Sequence, residues 1–356
     1  LKNVVIPMSA KTTVNIRKIA ELANVSVATV SRVLHPDEQK RVSPELRTRI
    51  MRLCEQYHYY PNMHTVRMFS RCADTVALLA PAECMYKFIY SGGLDYNLAG
   101  VICGAEMGLA EQSLYLSLVA VTEKFVENKE YLKLCRGKMV DGIIVWGWCE
   151  EQGFLHELLR ENIPVVMASG DIPGKNPPPL IECQDYEGMR SVVQYVLEQG
   201  HRKIAVAVSK PTCRAVCERL RGIDSVLTEA GIEPVYRSKP AALDYDNGIA
   251  SGKEILDRCG REITCIIAVN DYAAFGVARA ARERGLRIPD DISVTGADGI
   301  FVHGQIQQLT SFRSPSFEIG RRGAQMLAAM LRGEAAPASP LRLPVQLIPG
   351  DTVKKL

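Results

Sequence analysis

Along the first sixty positions the apolar residues recur with a helical period. In NIRKIAELANVSVATVSRVL, residues 15–34, Ile16, Ile19, Ala20 and Ala23 fall at i, i+3, i+4 and i+7, one face of a helix. Asn24 tolerates the left-handed backbone of a tight turn, so the pattern predicts a stop there. Ser26 is the predicted N-cap of a second helix, on which Val30, Val33 and Leu34 make the buried stripe. Ala20 is small enough to let the two helices cross closely. A third helix is predicted in VSPELRTRIMRLCEQYHY, with Ser43 as N-cap, Pro44 at the first helical position and Glu45 in the first turn. Leu46, Ile50, Leu53 and Tyr57 are its expected core residues, and Arg47, Arg49 and Arg52 lie on its other faces.

The second helix leaves Val27, Ala28, Thr29, Ser31 and Arg32 outside. Small side chains on an exposed helix face let it enter a DNA major groove. Hydroxyls there bond phosphates, and an arginine grips guanine through two hydrogen bonds. That is the arrangement of a helix-turn-helix. A helical hairpin with no such role shows the same spacing, so the pattern alone leaves both readings open.

After Asp74 the period changes. Short apolar runs appear at 75–81, 114–121, 142–147, 164–169, 203–208, 264–270 and 292–298, with amphipathic helical stretches between most of them. Continuous apolar strands alternating with helices predict parallel sheets covered on both faces. Their number predicts two doubly wound halves, with PGKNPPP at 173–179 as a loop between them. Open sheets of this kind bind ligands beyond the carboxyl ends of their strands. Trp146, Ser169, Asn270, Asp271 and Asp298 occupy such ends, and Arg219 lies in ERLRG, ahead of a helix that runs past Gly222. Arg219 and Asp298 are complementary partners for vicinal hydroxyls, and Trp146 offers a flat face of the kind sugars stack on. The competing roles are plain: a strand-end Asn or Asp also caps turns and helices, and a tryptophan also fills a core.

Charge sharpens the division. Residues 1–72 carry 12 Lys and Arg against 5 Asp and Glu, a net of +7, and the rest carries 31 against 35, a net of −4. A basic head on a mildly acidic body points to a polyanionic partner for the head. No apolar run approaches the roughly 18 residues that span a bilayer. The opening LKNVVIPMSAKT lacks the pattern of a secretory signal. These features predict a cytoplasmic, nucleoid-associated protein with no membrane partner. The 11 cysteines form no CxxC pair and are expected as reduced core fillers, with no metal bound. GxSxG, GxxxxGK[ST] and HExxH are all absent, and the six histidines do not cluster. No enzyme and no cofactor is expected. His201, in GHRKIAVAV, reads as structural.

VNIRKIAELANVSVATVSRVL, followed by VSPELRTRI and YYPN, resembles the head of the lactose-repressor/galactose-repressor (LacI/GalR) family of bacterial transcription regulators, and the resemblance extends along nearly the whole chain. It implies base contacts from Val27, Ala28 and Arg32 and phosphate contacts from Thr29 and Ser31. PNMHTVRMFSRC, residues 61–72, matches the family's hinge, whose short helix is unstable alone in water. In the family it forms on operator DNA, and a leucine wedges the minor groove. Here Asn62 is placed to cap that helix, Thr65 replaces a common alanine, and Met68 stands at the wedge beside a bulky Phe69. Packing of Met68 and Phe69 against the body is the alternative.

For the body the resemblance implies the periplasmic sugar-binding-protein fold, with chain crossings near 180–181, 298–299 and 315–319. It implies effector hydrogen bonds from Arg219, Asn270 and Asp298, to which Trp146 and Ser169 are added from their strand-end positions. The expected architecture is therefore a small all-α helix-turn-helix head (12–60), a hinge (61–73) and an α/β body (74–356) of two doubly wound parallel-sheet subdomains. The first would comprise 74–180 and 299–316, the second 181–298 and 317–356. The expected function is a transcriptional regulator, a repressor, controlled by a sugar or sugar acid in the cleft. The ending TVKKL, without a leucine-heptad tail, predicts a homodimer on a near-palindromic double-stranded operator. The alternative is a sugar receptor of the periplasmic type with no DNA-binding role.

Overall fold

The structure, a computed structural model, describes residues 14–34, 42–62, 72–85, 95–148, 153–161, 163–170, 177–211, 213–301, 307–335, 337 and 340–356. The chain forms two compact units, Leu1–Cys72 and Ala73–Leu356.

In the first unit α1 (Ile16–Ala23), α2 (Val27–Leu34) and α3 (Pro44–Gln56) start and stop where their capping residues dictate. Asn15 Oδ1 accepts from the Lys18 N–H at 3.0 Å. Asn24 adopts φ 50°, ψ 50° and ends α1. Ser26 Oγ accepts from the Thr29 N–H at 3.2 Å, and Ser43 Oγ accepts from the Leu46 N–H at 3.4 Å. Each cap satisfies an N–H that the helix itself leaves unpaired. Ile19, Ala20, Ala23, Val30, Val33, Ile50 and Cys54 form the core, with Leu34, Leu46, Leu53 and Tyr59 packed around it. Tyr57 is not in that core: it is exposed. The reason is local. His58 turns to φ 48°, and the Tyr59 N–H returns to the Cys54 carbonyl at 2.8 Å, so Tyr59 swings inward instead.

The second unit has two lobes. The first holds a six-stranded sheet in the order β11-β5-β4-β3-β1-β2, with parallel neighbours throughout. Its strands are β1 (Thr75–Pro81), β2 (Tyr115–Val121), β3 (Gly142–Trp148), β4 (Val165–Gly170), β5 (Leu180–Cys183) and β11 (Leu341–Leu343). The second lobe holds β6 (Ile204–Ala207), β7 (Tyr236–Arg237), β8 (Cys265–Ala268) and β9 (Ser293–Thr295), in the order β7-β6-β8-β9. A ribbon of β10 (Ser311–Arg313) and β12 (Gln346–Ile348) is antiparallel. Helices cover both faces of each sheet, which is why their strands read as unbroken apolar runs. In the first lobe α4 (Tyr96–Ala110) and α12 (Ser316–Leu331) cover one face, and α5 (Glu123–Glu127), α6 (Glu130–Arg136) and α7 (Gly153–Leu158) lie on the other. In the second, α8 (Asp185–Glu198) and α9 (Arg214–Glu229) oppose α10 (Tyr245–Cys259) and α11 (Asp271–Glu283).

The subdomain bounds differ from those expected. The chain crosses after β5, between β10 and α12, and between β11 and β12. Residues 298–301 do not cross: the Asp298 N–H bonds the Phe312 carbonyl at 3.0 Å, and the Gly299 N–H bonds Ser311 Oγ at 3.1 Å, all within the second lobe. Helix α12 belongs to the first lobe because its buried face, Ile319, Gly320, Ala324 and Leu327, meets α4 and β3–β5. Pro177–Pro179 lead from β4 to β5 inside one sheet and do not join the lobes; residues 173–176 lie outside those described.

Helices α4 and α12 touch backbone to backbone. A Cβ at Gly104 would stand 1.8 Å from the Phe317 carbonyl oxygen, and one at Gly320 2.1 Å from that of Val101. Gly104→Val therefore has no rotamer that spares the contact. It should lower stability by about 1–3 kcal/mol or more, read as a fall in the urea midpoint with the m-value unchanged.

Candidate functional site

On the head, Val27 (40% exposed), Ala28, Ser31 and Arg32 all face outward, opposite Val30 and Val33. Val27 and Ser31, and Ala28 and Arg32, are each one helical turn apart, so the four make a single low ridge. Thr29 is placed differently: it is half-buried, and its hydroxyl lies 2.9 Å from Ser26 Oγ at the helix start. The first turn of α2 carries no acidic residue, so its positive dipole end is not neutralised from within. Of the three α3 arginines, Arg49 is tied by Nη2 to the Leu22 carbonyl at 3.4 Å. Arg47 and Arg52 are exposed. Asn62 is exposed at the end of the described head, whereas Thr65, Met68 and Phe69 lie outside the described residues.

In the body the chemistry gathers around Arg219. It lies in the second turn of α9 rather than ahead of a helix, and it is 6% exposed. Its Nε donates to Asp185 Oδ1 at 2.7 Å, its Nη2 to Asp298 Oδ1 at 2.7 Å and its Nη1 to the Val269 carbonyl at 3.0 Å. The guanidinium also stands over the Phe312 ring, 5.2 Å from its centroid. Asp185 opens α8 just past the first crossing, Val269 follows β8, and Asp298 follows β9. Asp298 Oδ1 accepts a further bond from Asn97 Nδ2 at 3.1 Å, and Asn97 Oδ1 accepts from Ser316 Oγ at 2.6 Å. Asn97 sits in the first turn of α4, so this chain of bonds runs from one lobe to the other.

The remaining predicted residues have local partners. Asn270 caps α11, accepting from the Ala273 N–H at 2.9 Å, and its Nδ2 donates to the Leu243 carbonyl at 3.2 Å. Asp271 is fully buried and holds Ser311 Oγ at 2.7 Å and the Ile300 N–H at 2.6 Å. Trp146 is 8% exposed and packs in the first-lobe core with Leu98 and Val101. Ser169 is half-buried at φ 65°, one residue beyond Ala168, the register partner of Trp146. Arg219 and Asp298 are thus in direct contact, Asn270 adjoins them through Val269, and Trp146 and Ser169 share neighbouring strand ends of the other sheet.

Asp185, Asn97 and Ser316 were missed. Asp185 lies two residues beyond the short strand Leu180–Cys183 and could have been found by the strand-end rule. Asn97 and Ser316 carry no such signal.

Burial pushes the Asp271 carboxyl up to about 7, and the neighbouring Asp298 adds to this. Burial likewise pushes Asp95 up to about 6, again with Asp298 adding, although the Leu98 N–H bonds it at 2.9 Å. The Tyr272 hydroxyl is pushed up to about 12 by burial and by Asp95 and Asp298. Burial works against the charge on Arg219, but Asp298 and Asp185 hold its pKa well above the usual arginine value.

His201 is buried, with Nδ1 2.8 Å from Thr264 Oγ1 and Nε2 3.0 Å from the Lys354 carbonyl. Among the described cysteines, Cys54, Cys259 and Cys265 are buried as expected, whereas Cys72 and Cys103 are exposed. Among the described residues no three His, Cys, Asp or Glu side chains gather to hold a metal, and no helix is long and apolar enough to cross a membrane.

A three-helix head with an outward ridge, joined in one chain to two facing parallel-sheet lobes, defines the class of ligand-responsive DNA-binding regulators. The comparisons agree. Residues 15–62 match the bacterial regulatory proteins of the lacI family, and residues 193–353 match the periplasmic binding protein-like domain. The chain thus carries a lacI-type DNA-binding head and a periplasmic binding protein-like body. It is 29% identical to the HTH-type transcriptional regulator CelR of Thermobifida fusca over 91% of this chain and 93% of the relative. To the HTH-type transcriptional regulator DegA of Bacillus subtilis it is 28% identical, over 93% and 95%. Among solved structures it is similar to a transcriptional regulator CelR–cellobiose complex, with TM-score 0.68 and 26% identity over 95% of this chain and 99% of that one. It shares its fold with the lac repressor dimer bound to operator and the anti-inducer ONPF, with TM-score 0.77 and 21% identity over 96% and 100%. The named relatives are transcriptional regulators rather than enzymes.

Proposed function

We propose that the protein is a sequence-specific repressor that binds a near-palindromic operator as a homodimer and is controlled by a small hydroxylated metabolite, a sugar or sugar acid, held between the lobes of the body. Val27, Ala28 and Arg32 read base edges. Thr29 and Ser31 meet phosphates, Thr29 once its hydroxyl leaves Ser26. Asn62, Thr65 and Met68 form the hinge that reaches the minor groove. Arg219, Asn270 and Asp298 hold the ligand, with Trp146 and Ser169 on the opposite lobe.

The observation that carries this reading is the bond chain Arg219–Asp298–Asn97–Ser316, which ties the predicted ligand residues to both lobes at a chain crossing. Ligand hydroxyls that compete for Asp298 must disturb the Asn97 bond, so ligand binding and the relative pose of the lobes are linked. A ligand shifts that equilibrium only by its difference in affinity for the two poses.

The test is selection of bound duplexes from a random DNA pool, with and without sugars, followed by binding at several salt concentrations. One sequence family should emerge, with affinity that falls steeply with salt. Arg32→Ala should relax the preference at one position by about 1–3 kcal/mol. A protein that selects no sequence under any condition is not a repressor. Ligand binding without DNA binding would favour the receptor reading.

A further inference from the structure

The effector reading leaves a choice between uncharged and carboxylated sugars, and the charges around Arg219 bear on it. One guanidinium stands among four carboxylates: Asp95, Asp185, Asp271 and Asp298. Asp185 and Asp298 already hold its Nε and Nη2 at 2.7 Å, and Nη1 is engaged by the Val269 carbonyl. Asp271 is buried behind them, holding Ser311 and Ile300. Asp95 comes from the other lobe. It caps α4, two residues ahead of Asn97, whose amide reaches Asp298 at 3.1 Å. Burial, then Asp95 and Asp298, push the Tyr272 hydroxyl up to about 12, so the three lie within electrostatic reach of one another.

We infer that this cleft takes an uncharged polyhydroxylated ligand and rejects the carboxylated analogue, and that Asp95 is the first-lobe residue that sets the choice. The inference rests on the effector reading above. A ligand carboxylate would be the third anion on one guanidinium and would stand beside Asp95, and like charges in a shared desolvated site repel strongly. Ligand hydroxyls meet no such penalty. They donate to the carboxylates, and each leaves its own oxygen to accept. Burial, with Asp298 adding, already pushes the Asp95 carboxyl up to about 6, so a second anion beside it enters surroundings that disfavour charge.

The experiment is calorimetric titration of the full-length protein with matched pairs, glucose against glucuronate and galactose against galacturonate, plus cellobiose. In any pair that binds, the neutral sugar should be at least about tenfold tighter, the scale of one like-charge contact. Asp95→Asn and Asp95→Ser both keep a side chain that caps helices well. Each should shrink the neutral-to-acid ratio by about threefold or more, with folding checked by the thermal transition. An acid that binds wild type as well as its neutral partner overturns the inference and leaves the effector reading intact. A ratio unchanged in both variants removes Asp95 from it. No binding by any of the five sugars overturns the effector reading and this inference with it.

Discussion

Arg219→Leu is expected to destabilise the body by about 3–5 kcal/mol, because it strands two buried carboxylates. Asp185 and Asp298 are 7% and 3% exposed, and each receives a 2.7 Å bond from the guanidinium. Leucine fills part of the volume and supplies no donor, so both acids would have to take up protons or admit water. Val269 would lose its partner as well. Arg219→Lys should recover only part of the loss, since one ammonium cannot reproduce a planar fork aimed at three acceptors. Urea unfolding at neutral pH measures both variants. A leucine variant within about 1 kcal/mol of wild type, the range of an ordinary substitution, would mean that the two carboxylates are not held by Arg219.

The second large effect is a pH dependence centred on Asp271. Its carboxyl is raised from the ordinary aspartate range to about 7 by burial, with Asp298 adding. Below the unfolded-state value of about 3.9 both states hold the proton and stability is at its full level. As the pH rises toward 7 the unfolded chain releases the proton more readily than the native one, so stability falls through that window and levels off above it. The loss is about 2–4 kcal/mol at one unit per 1.36 kcal/mol. Asp95, raised to about 6, acts in the same direction over a narrower window. Asp271→Asn removes the proton uptake, so its stability should fall less than that of wild type between pH 4 and pH 7. Parallel profiles for the two proteins would contradict the assignment. The variant also gives up one acceptor to the Ile300 N–H or Ser311 Oγ, which lowers its stability at every pH without changing the slope.

The parts of this molecule written in the sequence are those set by local periodicity. The head's caps, Asn24, Ser26 and Ser43, each depend on neighbours within four residues, and all three stand where the pattern puts them. The long apolar strands β1, β3 and β4 are equally plain. Strands β5, β11 and β12 are only three or four residues long and are set by pairing partners far away in the chain, as Leu341 is by Ile181. That is why the subdomain bounds came out misplaced.

The cleft divides in the same manner. Arg219 and Asp298 are distinctive residue types at strand ends or in a helix beside them. Asn97 joins Asp298 across 201 residues of sequence and Ser316 across 219, and no local pattern announces such contacts. Trp146 and Asn270 carry second duties that residue type alone does not announce. Trp146 also packs in the first-lobe core, and Asn270 also caps α11.

The late chain segment serves both lobes. Helix α12 and β11 complete the first, while Thr352 Oγ1 bonds the Val294 carbonyl at 2.7 Å and the Leu356 N–H bonds the Gln199 carbonyl at 2.9 Å in the second. During synthesis, then, neither lobe can finish folding until residues 341–356 have been made. The head, whose packed core ends at Tyr59, is free to fold as soon as it leaves the ribosome. A nascent chain stalled before residue 316 would carry a folded head, a first-lobe sheet without β11 and its covering helix α12, and a β10 without its partner β12, the state in which exposed strand edges and apolar faces most need a chaperone.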